Sequence, residues 1–133
     1  MHIRKLAANF SVTTQITPAD IPALATEGFR AVVCNRPDGE AHGQPSFRDI
    51  AAAAQAHGLK AIHIPMSGGA GAATVAAFDA AWDALPKPVL AFCRSGVRSS
   101  NLWSASNASR QGAAASPPDS GIMGALRRPT TGV

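Results

Sequence analysis

Three short apolar runs constrain this chain more than any other feature. Residues 30–34, 60–64 and 88–92 are each bounded by turn or breaker residues, and more than 20 residues separate one from the next. Runs of that length read as buried strands. Gaps that wide are too long for hairpins and suit crossovers, which join parallel strands. Helical patterns with start and stop signals fill them. Thr17-Pro18 offers an N-cap and a first-turn proline, and Gly28 ends that helix; Ser46 with Asp49 resembles a capping box, and Gly58 ends the alanine-rich run 47–57. Thr74 is expected to cap a third helix, which Pro86 ends. In it Val75, Phe78, Ala81, Trp82 and Leu85 recur at three- and four-residue steps and share one face.

The alternation of strand and helix predicts an α/β domain with a central, mainly parallel sheet flanked by helices. Residues 3–6 and 10–13 add a hairpin at one edge. Beyond about Ser106 the apolar periodicity stops, and Ser116-Pro117-Pro118 and Arg128-Pro129-Thr130-Thr131-Gly132 follow. The expected division is a domain over 1–107 and a low-complexity, mostly disordered tail over 108–133, with a short helical patch near Ile122 to Leu126.

At 133 residues, one hydrophobic core suffices without disulfide staples, and two cysteines do not form a framework. The formal charge of +4 suggests nucleic acid only superficially. Residues 1–105 hold nine Lys/Arg against seven Asp/Glu, and Tyr is absent, so there is neither a basic stripe nor a set of stacking platforms. No nucleic-acid partner is expected. The basic start Met1-His2-Ile3-Arg4-Lys5 has no apolar run of signal length behind it, and no stretch reaches the ~20 apolar residues of a membrane span, so a cytoplasmic protein with reduced thiols and no membrane contact is expected. His2, His42, His57 and His63 show no metal-ligand spacing; neither a metal nor a cofactor is expected. Ser67-Gly68-Gly69-Ala70-Gly71 lacks the features of a nucleotide loop and reads as a flexible rim.

Chemistry concentrates where the third strand runs into Cys93-Arg94-Ser95-Gly96-Val97-Arg98-Ser99 and then a helix-forming segment. Backbone N–H groups at such a turn converge above the helix N-terminus, and the helix dipole adds positive potential there. Cys93 sits at the floor of that cradle. A free thiol titrates near ~8.5, and helix N-termini with Arg neighbours lower it, so the reactive thiolate dominates at neutral pH. Arg98 is placed to fold over the loop mouth and grip two oxygens of an anion with its planar fork. Gly96 permits a positive φ, the Ser99 hydroxyl is a donor for the thiolate, and Arg94 faces outward toward anionic substrate. Cys93, Arg98 and Asp38 are the candidate catalytic residues; Arg94, Ser95, Gly96, Val97, Ser99 and Arg36 are the candidates for substrate binding.

These residues resemble a known family over roughly residues 1–105. The matching motifs are Phe10-Ser11-Val12 with Gln15-Ile16, Asn35-Arg36-Pro37-Asp38-Gly39-Glu40, Gln44-Pro45-Ser46, Ile64-Pro65, and Cys93 to Ser99 followed by Leu102-Trp103. The chain is similar to the phosphatase-like domain of beta-lactamase hydrolase-like proteins, a bacterial group also labelled a sulfurtransferase family. The resemblance implies a dual-specificity-phosphatase-like fold with the cysteine loop at the carboxyl edge of the sheet. In fused relatives a metallo-hydrolase domain accompanies it, so coupling to such an enzyme would occur in trans. Relatives continue past Leu-Trp with an alanine-rich helix, which this chain is expected to lack from about Ser104.

The resemblance leaves the reaction open. Dual-specificity phosphatases place five residues between Cys and Arg, and rhodanese-type sulfurtransferases typically four; this chain has four. The loop in which those phosphatases carry an acid reads Pro65-Met66-Ser67-Gly68-Gly69 here, without a carboxylate, leaving Asp38 or Glu40 as substitutes. Sulfur transfer needs no such acid. The expected function is a cysteine-dependent sulfurtransferase that moves sulfane sulfur through a Cys93 persulfide, from a small anionic donor to an acceptor thiol. The rivals are a phosphatase forming a Cys93 phosphoenzyme and a non-catalytic oxyanion-binding regulatory module. Cys34 reads either as a resolving thiol or as a buried strand thiol.

Overall fold

The computed structural model describes residues 1–115. The predicted apolar runs form β3 (Ala31–Cys34), β4 (Lys60–His63) and β5 (Val89–Phe92), and the edge hairpin is β1 (Arg4–Ala7) with β2 (Phe10–Thr13). Their order across the sheet is β1-β2-β5-β3-β4. Only β1 with β2 is antiparallel; β2, β5, β3 and β4 run parallel. The register aligns Thr13, Phe92, Cys34 and His63 at one end of the sheet. All four carboxyl ends therefore open on the same edge, where parallel sheets place their ligands.

A 3-10 turn (Pro18–Asp20) leads into α1 (Ile21–Thr26), and α2 (Phe47–Ala56) connects β3 to β4. The Asp20 carboxylate accepts from the backbone N–H and hydroxyl of Thr17, and Ser46 Oγ accepts from Asp49 N, so both predicted starts are real caps. Gly28 and Gly58 leave their helices at φ +100° and +78°, conformations that carry no steric penalty for glycine. α3 (Ala72–Ala84) starts earlier than the Thr74 cap expected from sequence; its N-cap is Gly71.

Alternation along the strands makes two cores. Phe10, Val12, Ala31, Val33, Val89 and Ala91 pack with Phe78 and Leu85 of α3 and its C-cap and with Leu102 and Trp103. Val32, Cys34, Leu90 and Phe92 face the opposite way, against Ile21 and Leu24 of α1 and Ile50 and Ala54 of α2. Phe10 is the aromatic centre of the first core: it stacks on Trp103 at 4.2 Å and meets Phe78 and Trp82 edge-on at 6.0 Å.

α4 (Val97–Ala115) follows the cysteine loop. The expected loss of helix at Ser104 does not occur, and the stretch 108–115, assigned from sequence to the tail, is helical. Its alanines and glutamine are good helix formers, and no proline intervenes before 117. Met1–Trp103 is one compact unit, and a second begins at Ser104. In the second, Arg110 Nη1 donates to Ser106 Oγ one helical turn away. The rest of the proposed tail and the patch at 122–126 lie outside the described residues. Among the described residues no helix is long and apolar enough to cross a membrane, and no group of His, Cys, Asp and Glu is arranged to hold a metal ion.

Candidate active site

The loop after β5 closes on its own cysteine. Gly96 N donates to Cys93 Sγ across 3.0 Å. Gly96 has φ +92°, and a Cβ there would lie 3.4 Å from the Thr13 carbonyl oxygen, so glycine satisfies both the turn and its close approach to β2. Gln15 N donates to Arg94 O at 3.3 Å, a second tie from the β2 exit to the loop. Ser95 Oγ accepts from Val97 N, which starts α4, and the Ser100 N–H and hydroxyl both bond to Gly96 O. Arg4 of β1 braces this turn by donating to Ser100 Oγ.

Two opposing influences act on the Cys93 thiol. Burial, the largest single influence, disfavours the thiolate, since the residue is 0% exposed. The amides of Ser99, Gly96, Ser95 and Arg98 together outweigh it and leave Cys93 more acidic than a free thiol. The positive charge of the Arg98 guanidinium favours the same thiolate. Arg94, Ser95 and Val97 are exposed around the loop, Val97 at 57%.

Arg98 is fixed from a distant part of the chain. Its Nη1 and Nη2 donate to Glu40 Oε2 and Oε1, both at 2.7 Å, and Nη1 also donates to Met66 O at 2.7 Å. Arg36, only 5% exposed, donates from Nε to Glu40 Oε1 at 2.8 Å and from Nη1 to Gln15 Oε1 at 3.2 Å. Hydrogen bonds from these two guanidiniums hold the Glu40 carboxyl down at about 2. Glu40 is therefore ionised at neutral pH and has no proton to give, which removes it as a substitute general acid.

Other candidates occupy different places from those expected. The Ser99 hydroxyl does not reach the sulfur: it donates to Asn35 Oδ1 at 2.8 Å, and only the Ser99 amide serves Cys93. Asp38 Oδ1 accepts from Phe47 N at 2.8 Å at the start of α2, a turn-and-cap role that suits the turn-forming Pro37-Asp38-Gly39. Arg36 supports Glu40 and Gln15 from within the fold. Cys34 lies on the sheet face packed by α1 and α2, donates to Arg36 O at 3.4 Å, and is pushed up to about 11, chiefly by burial. That is a structural thiol at neutral pH. His63 Nε2 also donates to Arg36 O, at 2.9 Å, with its ring stacked on Phe47.

Asn35, which sequence reasoning passed over as a site residue, is the hub of this edge. Its sequence signals were its place in the matching motif and its position directly after a buried strand, where a polar side chain must find partners.

Residues 2–110 match the family described as beta-lactamase hydrolase-like protein, phosphatase-like domain. A beta-lactamase hydrolase-like protein of Agrobacterium fabrum strain C58 is 33% identical over 100 residues, or 74% of this chain. The chain spans 23% of the length of that relative. Among solved structures, a protein of Neisseria meningitidis Z2491 provisionally named a phosphatase superposes with a TM-score of 0.74 at 33% identity, covering 88% of this chain and 81% of its own. One from Shewanella putrefaciens CN-32, provisionally named the same way, has a TM-score of 0.72 at 20% identity, covering 83% of this chain and 72% of its own, and supports the fold alone.

Proposed function

Because the chain belongs to the family of beta-lactamase hydrolase-like phosphatase-like domains, with a dual-specificity-phosphatase-like fold and a cysteine loop, we propose that it transfers sulfane sulfur through Cys93. The observation that carries this reading is the missing proton donor: Glu40 is ionised beside two guanidiniums, and Asp38 Oδ1 is engaged at the start of α2. A leaving group that departs as a stable anion needs no proton. The loop also places four residues between Cys93 and Arg98, which suits a compact ring of amides around one sulfur.

In the proposed reaction the Cys93 thiolate attacks the outer sulfur of a thiosulfate-class donor. The donor S–S bond breaks, sulfite leaves with the bonding pair, and Cys93 keeps the transferred sulfur as a persulfide anion. An acceptor thiolate or cyanide then attacks that outer sulfur, and Cys93 is released as thiolate. The loop amides and Arg98 hold the anions in turn, Ser95, Gly96, Val97 and Ser99 shape the cradle, and exposed Arg94 draws the donor in. Arg36 acts through Glu40. The substrate is accordingly a small anion.

A second reading, favoured by the phosphatase designation of the Neisseria relative, is hydrolysis through a Cys93 phosphoenzyme with Asp38 or water as the acid. Purified protein assayed in parallel with thiosulfate plus cyanide and with an aryl phosphate separates the two. Thiocyanate formation that disappears in Cys93→Ser supports sulfur transfer. Phosphate release lost in the same variant, with no thiocyanate, rejects it. Anion-dependent stabilisation with neither product would instead identify a binding module.

A further inference from the structure

Asn35 is 0% exposed at the exit of β3, and each of its four polar atoms has a hydrogen-bond partner. Its N–H donates to Phe92 O at 2.8 Å, and its carbonyl accepts from Met66 N at 2.9 Å. Its side-chain Nδ2 donates to Ile64 O at 2.9 Å, and Oδ1 accepts from Ser99 Oγ at 2.8 Å. One buried residue thus joins the last residue of β5 through its backbone, and the β4 exit and the first turn of α4 through its side chain. A hydroxyl carries a single proton, so Ser99 cannot donate to Asn35 and to the cysteine at once.

We propose that Asn35 is a positioning residue of the cysteine site, holding Ser99 so that its backbone N–H, not its hydroxyl, is aimed at the Cys93 sulfur. Buried side-chain amides impose geometry strongly, because a misplaced partner leaves an unsatisfied polar group. Arg98 and Cys34 are charged or titratable groups that interact with Cys93, and substitution at 35 or 99 leaves both in the chain. The proposal rests on Cys93 acting as a thiolate, and the test separates the two ideas.

The experiment titrates wild type, Asn35→Ala, Ser99→Ala and Ser99→Thr by NMR of carbon-labelled cysteine, which follows Cys93 and Cys34 individually. Asn35→Ser replaces the alanine variant should that fail to fold. The expected result is a wild-type Cys93 titrating below the free-thiol value. Asn35→Ala and Ser99→Ala should each lower its thiolate-to-thiol ratio about tenfold at fixed pH. The double variant should be no worse than either, and Ser99→Thr should keep the wild-type ratio. Cys34 should not move. A folded Asn35 variant whose Cys93 is unchanged or more acidic, with Ser99→Ala less acidic, means the hydroxyl serves the sulfur directly and overturns the proposal. A Cys93 change matched by a fall at Cys34 is general loosening and also overturns it. A wild-type Cys93 with ordinary acidity removes the thiolate reading itself.

Discussion

The Glu40 carboxylate receives both arms of the Arg98 guanidinium, at 2.7 Å each, from 58 residues away in the chain. Arg36 shares one of the same oxygens at 2.8 Å. A planar fork gripped in two places has little rotational freedom, so Glu40 fixes the plane in which Arg98 meets the cysteine loop. Glu40→Gln should reduce kcat by roughly ten- to a hundredfold through misplacement of Arg98, while Asp38→Ala should cost about 1 kcal/mol of stability as a lost cap. Steady-state kinetics and thermal melts of the two variants check this. Equal kinetic losses in both would contradict the division of roles.

Gly96→Ala places a Cβ at φ +92° and against the Thr13 carbonyl. Strain of about 1–3 kcal/mol is expected, together with displacement of the amide that bonds Cys93 Sγ. Activity should fall at least tenfold, and the Cys93 thiol should become less acidic. A melt alongside a thiol titration reads both effects, and an unchanged titration would place the Gly96 amide outside the thiolate's support.

Phe10 holds the first core together through its stack on Trp103 and edge contacts to Phe78 and Trp82. Phe10→Ala should cost about 3–5 kcal/mol. Chemical denaturation measures it, and a cost under about 1 kcal/mol would show that the aromatic cluster repacks around the gap.

Cys34 predicts an alkaline weakness. Its folded-state value is about 11 against an ordinary 9.0, so between pH 9 and 11 the unfolded chain loses this proton while the folded chain keeps it. Stability must then fall as pH rises through that window. Glu40 works oppositely at the acid end: its contribution is complete above pH 4.5 and is lost as pH falls toward 2. Cys34→Ala should flatten the alkaline slope and leave the acid one, as melts against pH would show.

The strands were legible because breakers bound each apolar run, and the cysteine loop because strand, Gly and Arg sit in consecutive sequence. The end of α4 was not, since serine and alanine in 104–115 carry no apolar periodicity and the helix there rests on propensity alone. Glu40 was visible only as a carboxylate near the right edge. That it faces Arg98 as well as Arg36, and is thereby disqualified as an acid, depends on a contact 58 residues apart. Ser99 shows the same limit: a hydroxyl beside a cysteine suggests a donor, but Asn35, 64 residues earlier, takes its proton.

The ultraviolet absorbance of the thiolate tests the central claim most directly, read as the difference between wild type and Cys93→Ser across pH. The chain has no tyrosine to overlay the signal, and Cys34 titrates far higher, at about 11. The account predicts a Cys93 transition below ~8.5, more acidic than a free thiol. A transition at or above that value would contradict it.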